Sequence, residues 1–192
     1  MRILLTGASG KVGSYTLQYL LQRGHAVTTV DVVPLPPTVA SSLPKGQAEK
    51  HCIVDLSSHT ATDQLFEKAG PLDGVIHIGA IPDPKDKDWR WVHNNNTASS
   101  YNVLYTAGIK YGIKRISQAS SVNATGLSYT RPGMQEFDEF PITEKETYRA
   151  VSHTPWSGRS QAHWYRKTRT LCLSSMSYPS PLFCMIKTLT DS

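Results

Sequence analysis

Three glycines, Gly7, Gly10 and Gly13, stand in the stretch ILLTGASGKVG, between an apolar run and an amphipathic one. Where a strand hands over to a helix, this residue type at this spacing suits phosphate binding. A helix N-terminus presents amide groups without helical partners and the positive end of its dipole. A side chain in front of it obstructs a ligand. Gly7 permits the tight turn, Gly10 removes the side chain that would face the phosphates, and Gly13 lets the helix pack close to the strand. Ser9, Lys11 and Val12 belong to the same cradle. Asp31 lies 18 residues beyond Gly13, at the end of a second strand-like run. A carboxylate there accepts both hydroxyls of an adenosine ribose and repels a 2′-phosphate. The next residues, Val32 and Val33, bring no arginine to offset that repulsion. The expected cofactor is therefore NAD rather than NADP. The plainer readings are turn glycines without a ligand and an exposed strand-end aspartate.

Two further pairs fall at matching places. Asp55 and Leu56 follow a third strand-like run, where a carboxylate and an adjacent N–H could meet the adenine edge. Gly79 and Ala80 follow a fourth and are small enough to admit the pyrophosphate and ribose. Each pair alone also suits a plain turn. Together they fall after consecutive strands, on the edge where such sheets bind ligands. His77, inside the fourth run, reads as a structural residue rather than a base.

The elements that must position these residues follow from periodicity. Arg2–Ala8 is apolar, short and stopped by glycine, as a buried strand is. Lys11–Gln22 carries an apolar stripe at helical spacing and is closed by Arg23-Gly24. His25–Val33 is strand-like, and Pro34–Gly46 reads as a loop with at most a short helix. Glu49–Asp55, Gly74–Ala80 and Ile116–Val122 read as strands, and Ala61–Ala69 and Thr97–Tyr111 as helices, the last closed by Gly112. Strands alternating with helices predict an α/β fold, a Rossmann-type parallel sheet with helices on both faces. Its C-terminal part reads as incomplete.

The chain has 192 residues, 39% hydrophobic and 18% charged, which suits one folded domain. No run is apolar and long enough to span a bilayer as a helix, and the N-terminus shows no signal-peptide pattern, so a cytoplasmic protein without a membrane partner is expected. Cys52, Cys172 and Cys184 show neither a disulfide framework nor metal-ligand spacing, and no metal is expected. The net charge of +5 is uneven: Met1–Ala150 holds 15 Lys/Arg against 14 Asp/Glu, and Val151–Ser192 holds 5 against one. The basic residues of the tail neither cluster nor share a helical face, which argues for a solvated, poorly ordered segment and against a nucleic-acid partner. The expected division is a dinucleotide-binding domain over 1–150 and an aperiodic tail over 151–192, where Leu182–Leu189 alone hints at a short strand or helix.

The stretches TGASGKVG, the Asp31 strand end, VDL at Val54–Leu56, HIGA at His77–Ala80, NNTASSYNVLYTA at Asn95–Ala107 and QASSVNATG at Gln118–Gly126 resemble the extended short-chain dehydrogenase/reductase family, in its NAD-dependent epimerase/dehydratase group. The resemblance implies a sugar-like substrate. It implies that Asn96 is the helix asparagine that braces the site, although the neighbouring Asn94 and Asn95 also suit plain surface or cap positions. It implies that Ser121 is the catalytic serine, hydrogen-bonded to the reacting oxygen.

In that family the proton acceptor is a tyrosine, whose phenol is acidified by a lysine four residues later on the same helix face. This sequence contains no Tyr-x-x-x-Lys. Tyr165 with Arg169 is a substitute at that spacing. Tyr148 is followed there by Ser152, and Lys167 lies only two residues after Tyr165. The resemblance stops within a few residues after Tyr148, beyond which the sequence becomes basic and aperiodic, as a truncated or frame-shifted reading would. A catalytically inactive NAD-binding module is accordingly the alternative to an active oxidoreductase or epimerase.

Overall fold

Five parallel strands form one sheet in the order β3-β2-β1-β4-β5. They are β1 (Arg2–Thr6), β2 (Ala26–Asp31), β3 (His51–Ile53), β4 (Gly74–His77) and β5 (Ile116–Gln118). This is a computed structural model, and it describes residues 1–82 and 88–119. The strand order runs outward from β1 to β3, then restarts at β4 on the other side of β1. Such a reversal opens a crevice at the carboxyl ends of β1 and β4.

Side-chain alternation along β1 builds both layers. Leu4 faces one core with Val30, Val75, Phe66, Val103 and Ile116. Ile3 and Leu5 face the other with Leu17, Leu20 and Val27. A strand buried on both faces reads as a continuous apolar run, which RILLT does. The helices are α1 (Lys11–Gln22), a short α2 (Pro37–Ala40), α3 (His59–Ala69) and α4 (Trp89–Tyr105). Helix α1 buries Gly13, Leu17 and Leu20, and α3 buries Thr62, Leu65 and Phe66.

Several expected boundaries move: β1, β2 and β4 end at Thr6, Asp31 and His77, short of Ala8, Val33 and Ala80, and α3 begins at His59 rather than Ala61. Glu49 and Lys50 are not in a strand but in a 3-10 turn over Ala48–Lys50, and Val54 and Asp55 also lie outside β3, which keeps only three residues. Helix α4 starts eight residues before Thr97. The Asp88 carboxylate caps it, accepting the Arg90 amide at 2.7 Å. Its first two turns, WRWVHNNN, set Trp and Val beside three asparagines and carry weak helix propensity. At its far end the backbone widens into a π turn over Thr106–Lys110, closed by a bond from Tyr111 N–H to Thr106 C=O at 3.0 Å. Val122, the catalytic candidates Ser121 and Tyr165, and the 151–192 tail lie outside the described residues.

Candidate functional site

The crevice between β1 and β4 is lined by backbone. Gly7 follows β1 with φ +69°, and a Cβ there would lie 2.6 Å from the Gly79 amide nitrogen. A Cβ on Gly13 would lie 2.0 Å from the Gly7 carbonyl oxygen. Both glycines are therefore demanded by the packing of this fold. Gly10 is not: its φ is −73°, and a Cβ there would meet nothing closer than the Gly7 carbonyl oxygen at 3.4 Å. Gly10 is exposed and is the N-cap of α1. No side chain caps this helix and its first turn holds no acidic residue. The capping of α3 by Ser58 and of α4 by Asp88 makes the contrast. The amino end of α1, where Lys11 and Val12 begin the helix, is thus open toward an anion.

Asp31 ends β2 beside this turn. Its Oδ2 accepts the Ser9 amide at 2.9 Å and its Oδ1 accepts the Val32 amide at 2.7 Å. The carboxylate is half-buried. Asp55 is exposed and accepts the Ser57 amide at 2.9 Å, which folds the turn after β3. Leu56 is buried, and its carbonyl accepts from Asn102 Nδ2 at 2.9 Å and Thr62 Oγ1 at 3.2 Å. Ala80 is exposed and Gly79 half-buried, both at the mouth of the crevice. Asn96 is 2% exposed. Its Oδ1 accepts the Ile81 amide at 2.9 Å, and its Nδ2 donates to the Ile81 carbonyl at 3.0 Å. Both ends of its amide hold the loop after β4, so Asn96 acts on that edge through the loop. Asn94 is exposed.

A buried polar chain braces the same edge, and sequence reasoning missed most of it. Thr6 Oγ1 accepts the amides of Ile78 and Gly79 at 3.1 and 3.0 Å. Its own proton then goes to His77 Nδ1, 2.7 Å away. His77 Nε2–H donates to Ser100 Oγ at 3.2 Å, which also accepts from Gln118 Nε2 at 3.3 Å. Burial lowers the His77 pKa to about 4, so the ring is neutral at pH 7 and holds one tautomer. His77 is structural, as its place inside a strand suggests. The one signal available for this chain was a threonine closing an otherwise apolar strand.

Among the described residues no group of His, Cys, Asp and Glu side chains could hold a metal ion, and no helix is long and apolar enough to cross a membrane. Cys52 is a half-buried free thiol.

Comparison with known proteins agrees with this geometry. The chain is similar to UDP-glucose 4-epimerase of Bacillus subtilis, 29% identical over 143 residues, or 71% of this chain and 41% of that protein. It is similar to uronate dehydrogenase of Pseudomonas syringae, 26% identical over 126 residues, or 66% of this chain and 42% of that protein. It thus spans about two fifths of the length of these relatives. Among solved structures it resembles the Bordetella bronchiseptica enzyme WbmG in complex with NAD, with TM-score 0.51 and 28% identity over 62% of this chain and 36% of that one. Its fold is shared with Thermus thermophilus UDP-glucose 4-epimerase in complex with NAD, with TM-score 0.61 and 24% identity over 90% of this chain and 52% of that one. The family model described as the NAD dependent epimerase/dehydratase family matches residues 3–170, so the match continues beyond Tyr148, where the resemblance was expected to stop. With that match covering most of its length, the chain belongs to the NAD dependent epimerase/dehydratase family.

Proposed function

We propose that this chain binds NAD at the carboxyl edge of its sheet and is of the type that, in full-length relatives, works as an oxidoreductase or epimerase on a sugar-like substrate. The observation that carries the reading is Gly10. It is the one glycine of the triplet that packing does not require, and it stands at the uncapped end of α1. A ligand that must touch the backbone explains it. Gly7, Ser9, Gly10, Lys11, Val12 and Gly13 would receive the pyrophosphate. Asp31 would accept the adenosine ribose hydroxyls with the lone pairs that its two backbone contacts leave free. Asp55 and Leu56 would flank the adenine, and Gly79 and Ala80 would leave room at the crevice mouth. Asn96 would hold the loop beside them. Residues 1–150 form the dinucleotide-binding unit in this reading, and 151–192 lie beyond it.

When bound, NAD supplies a hydride acceptor. Ser121, by its resemblance to the family serine, would hydrogen-bond the reacting oxygen of the substrate. Tyr165, with Arg169, is the substitute for the tyrosine–lysine pair. The absence of Tyr-x-x-x-Lys from the sequence supports a second reading, an NAD-binding module without turnover. The relatives' names, UDP-glucose 4-epimerase and uronate dehydrogenase, support a sugar or sugar-nucleotide substrate for the active form. The test is calorimetric titration of the chain with NAD, with Gly10→Val as the control. Saturable binding lost in a folded Gly10→Val supports the reading, and binding unchanged in that variant sends the cradle elsewhere.

A further inference from the structure

The carbonyl of Val33, two residues beyond Asp31, accepts two hydrogen bonds from opposite sides. Ser9 Oγ donates to it from the glycine turn at 3.1 Å. His51 Nε2 donates to it from β3 at 2.9 Å. A carbonyl only accepts, so Nε2 carries a proton. Nδ1 is in turn held by Thr29 Oγ1 at 3.1 Å, and Thr29 is fully buried in β2. The imidazole therefore spans from the sheet interior to the segment behind Asp31. Ser9 also holds Asp31 itself, through its backbone amide. The side chains of Val32 and Val33 are 61% and 51% exposed, so apolar packing does little to fix this segment. Hydrogen bonds must fix it: the Val54 amide holds the Asp31 carbonyl at 2.8 Å, and beyond Asp31 the His51 side chain holds Val33 from β3.

We propose that His51 is a positioning residue for cofactor choice: it pins the Asp31–Val33 segment so that the Asp31 carboxylate stays aimed at the ribose hydroxyls and no space opens for a 2′-phosphate. This rests on the NAD reading given above. With Asp31 still held in the ladder by Val54, a Val32–Val33 segment freed of the His51 bond can move, and the Val32 amide that holds Asp31 Oδ1 moves with it. That movement weakens the carboxylate's grip on the ribose and relieves the repulsion that excludes NADP, so the two affinities converge.

Two variants separate positioning from simple structural support. His51→Phe keeps a ring and strand propensity at this edge position but has no donor. His51→Gln keeps an amide donor able to reach the Val33 carbonyl. NAD and NADP are titrated calorimetrically into the parent and both variants, and amide hydrogen exchange is followed at Val32, Val33 and Leu35 without ligand. The expected result is an NAD-to-NADP affinity ratio about tenfold lower in His51→Phe, with faster exchange at Val32, Val33 and Leu35, and both restored in His51→Gln. A ratio unchanged in His51→Phe, or a loss that His51→Gln does not repair, overturns this inference alone. A parent that binds neither dinucleotide overturns the NAD reading and this inference together. Should His51→Phe not fold, the Gln variant still decides: it must keep the parent ratio and slow exchange, and failure of either overturns the proposal.

Discussion

Gly7 and Gly79 meet backbone to backbone across the carboxyl ends of β1 and β4, so closely that a Cβ on Gly7 would lie 2.6 Å from the Gly79 nitrogen. The contact sets the width of the crevice at the point where the strand order reverses. It separates the glycines that build the crevice from Gly10, which leaves it open.

Gly7→Ala and Gly13→Ala are expected to destabilise the chain, each by about 1–3 kcal/mol or more, because a methyl group there has backbone in its place. Gly7→Ala adds the cost of a positive φ. Gly10→Val should cost only about 1 kcal/mol, as a poor N-cap residue, yet remove NAD binding. Thermal unfolding of the three variants, with and without NAD, checks the contrast.

His77 gives a pH window of its own. Its folded pKa is about 4 and its ordinary value 6.5. Between these values the unfolded chain binds a proton that the folded chain refuses, so stability rises with pH through this range. It is fully present above about pH 6.5 and is lost as pH falls toward 4, on the order of 3 kcal/mol in all. Asp63, Asp73 and Asp88, lowered by hydrogen bonds to Lys110, Arg2 and Arg90 respectively, act only below the ordinary carboxylate value of 3.8. Urea unfolding between pH 4.5 and 7 should show the slope in the parent and much less of it in His77→Gln. Equal slopes would remove His77 as its source.

Turnover is expected to be weak. A positioned acid–base group contributes about 10²–10⁴-fold, and the sequence lacks the tyrosine–lysine spacing that would supply it. NADH absorbance followed over sugars and sugar acids, for the parent, Ser121→Ala and Tyr165→Phe, tests this. Robust parent activity lost in Tyr165→Phe would show instead that Tyr165 with Arg169 completes a working site.

The order of elements was legible because burial repeats locally. RILLT reads as a strand buried on both faces, and the stripe from Val12 to Leu21 reads as α1, whose bounds the structure reproduces at Lys11 and Gln22. The start of α4 was not legible, since a cap at Asp88 rather than an apolar stripe sets it. The glycine spacing and Asp31 could be read because each element end carries its own residues. The chain from Thr6 through His77 to Ser100 could not, because it joins residues 71 and 23 positions apart with no periodic trace. The same holds for His51, whose place in a strand says nothing of the carbonyl it holds. Asn96 could be singled out by resemblance, but not that its amide is turned onto Ile81.

The most direct test of the account is the dissociation constant for NAD and for NADP, measured calorimetrically on the parent chain and on Asp31→Ala. Asp31 stands at the end of β2 with its carboxylate at the glycine turn and with Val32 and Val33, not a basic residue, behind it. The account predicts that the parent binds NAD at least tenfold more tightly than NADP, a difference of about 1.4 kcal/mol or more. It predicts that Asp31→Ala weakens NAD and leaves NADP unchanged or tighter. Equal affinity of the parent for both dinucleotides, or no binding of NAD at all, would contradict it.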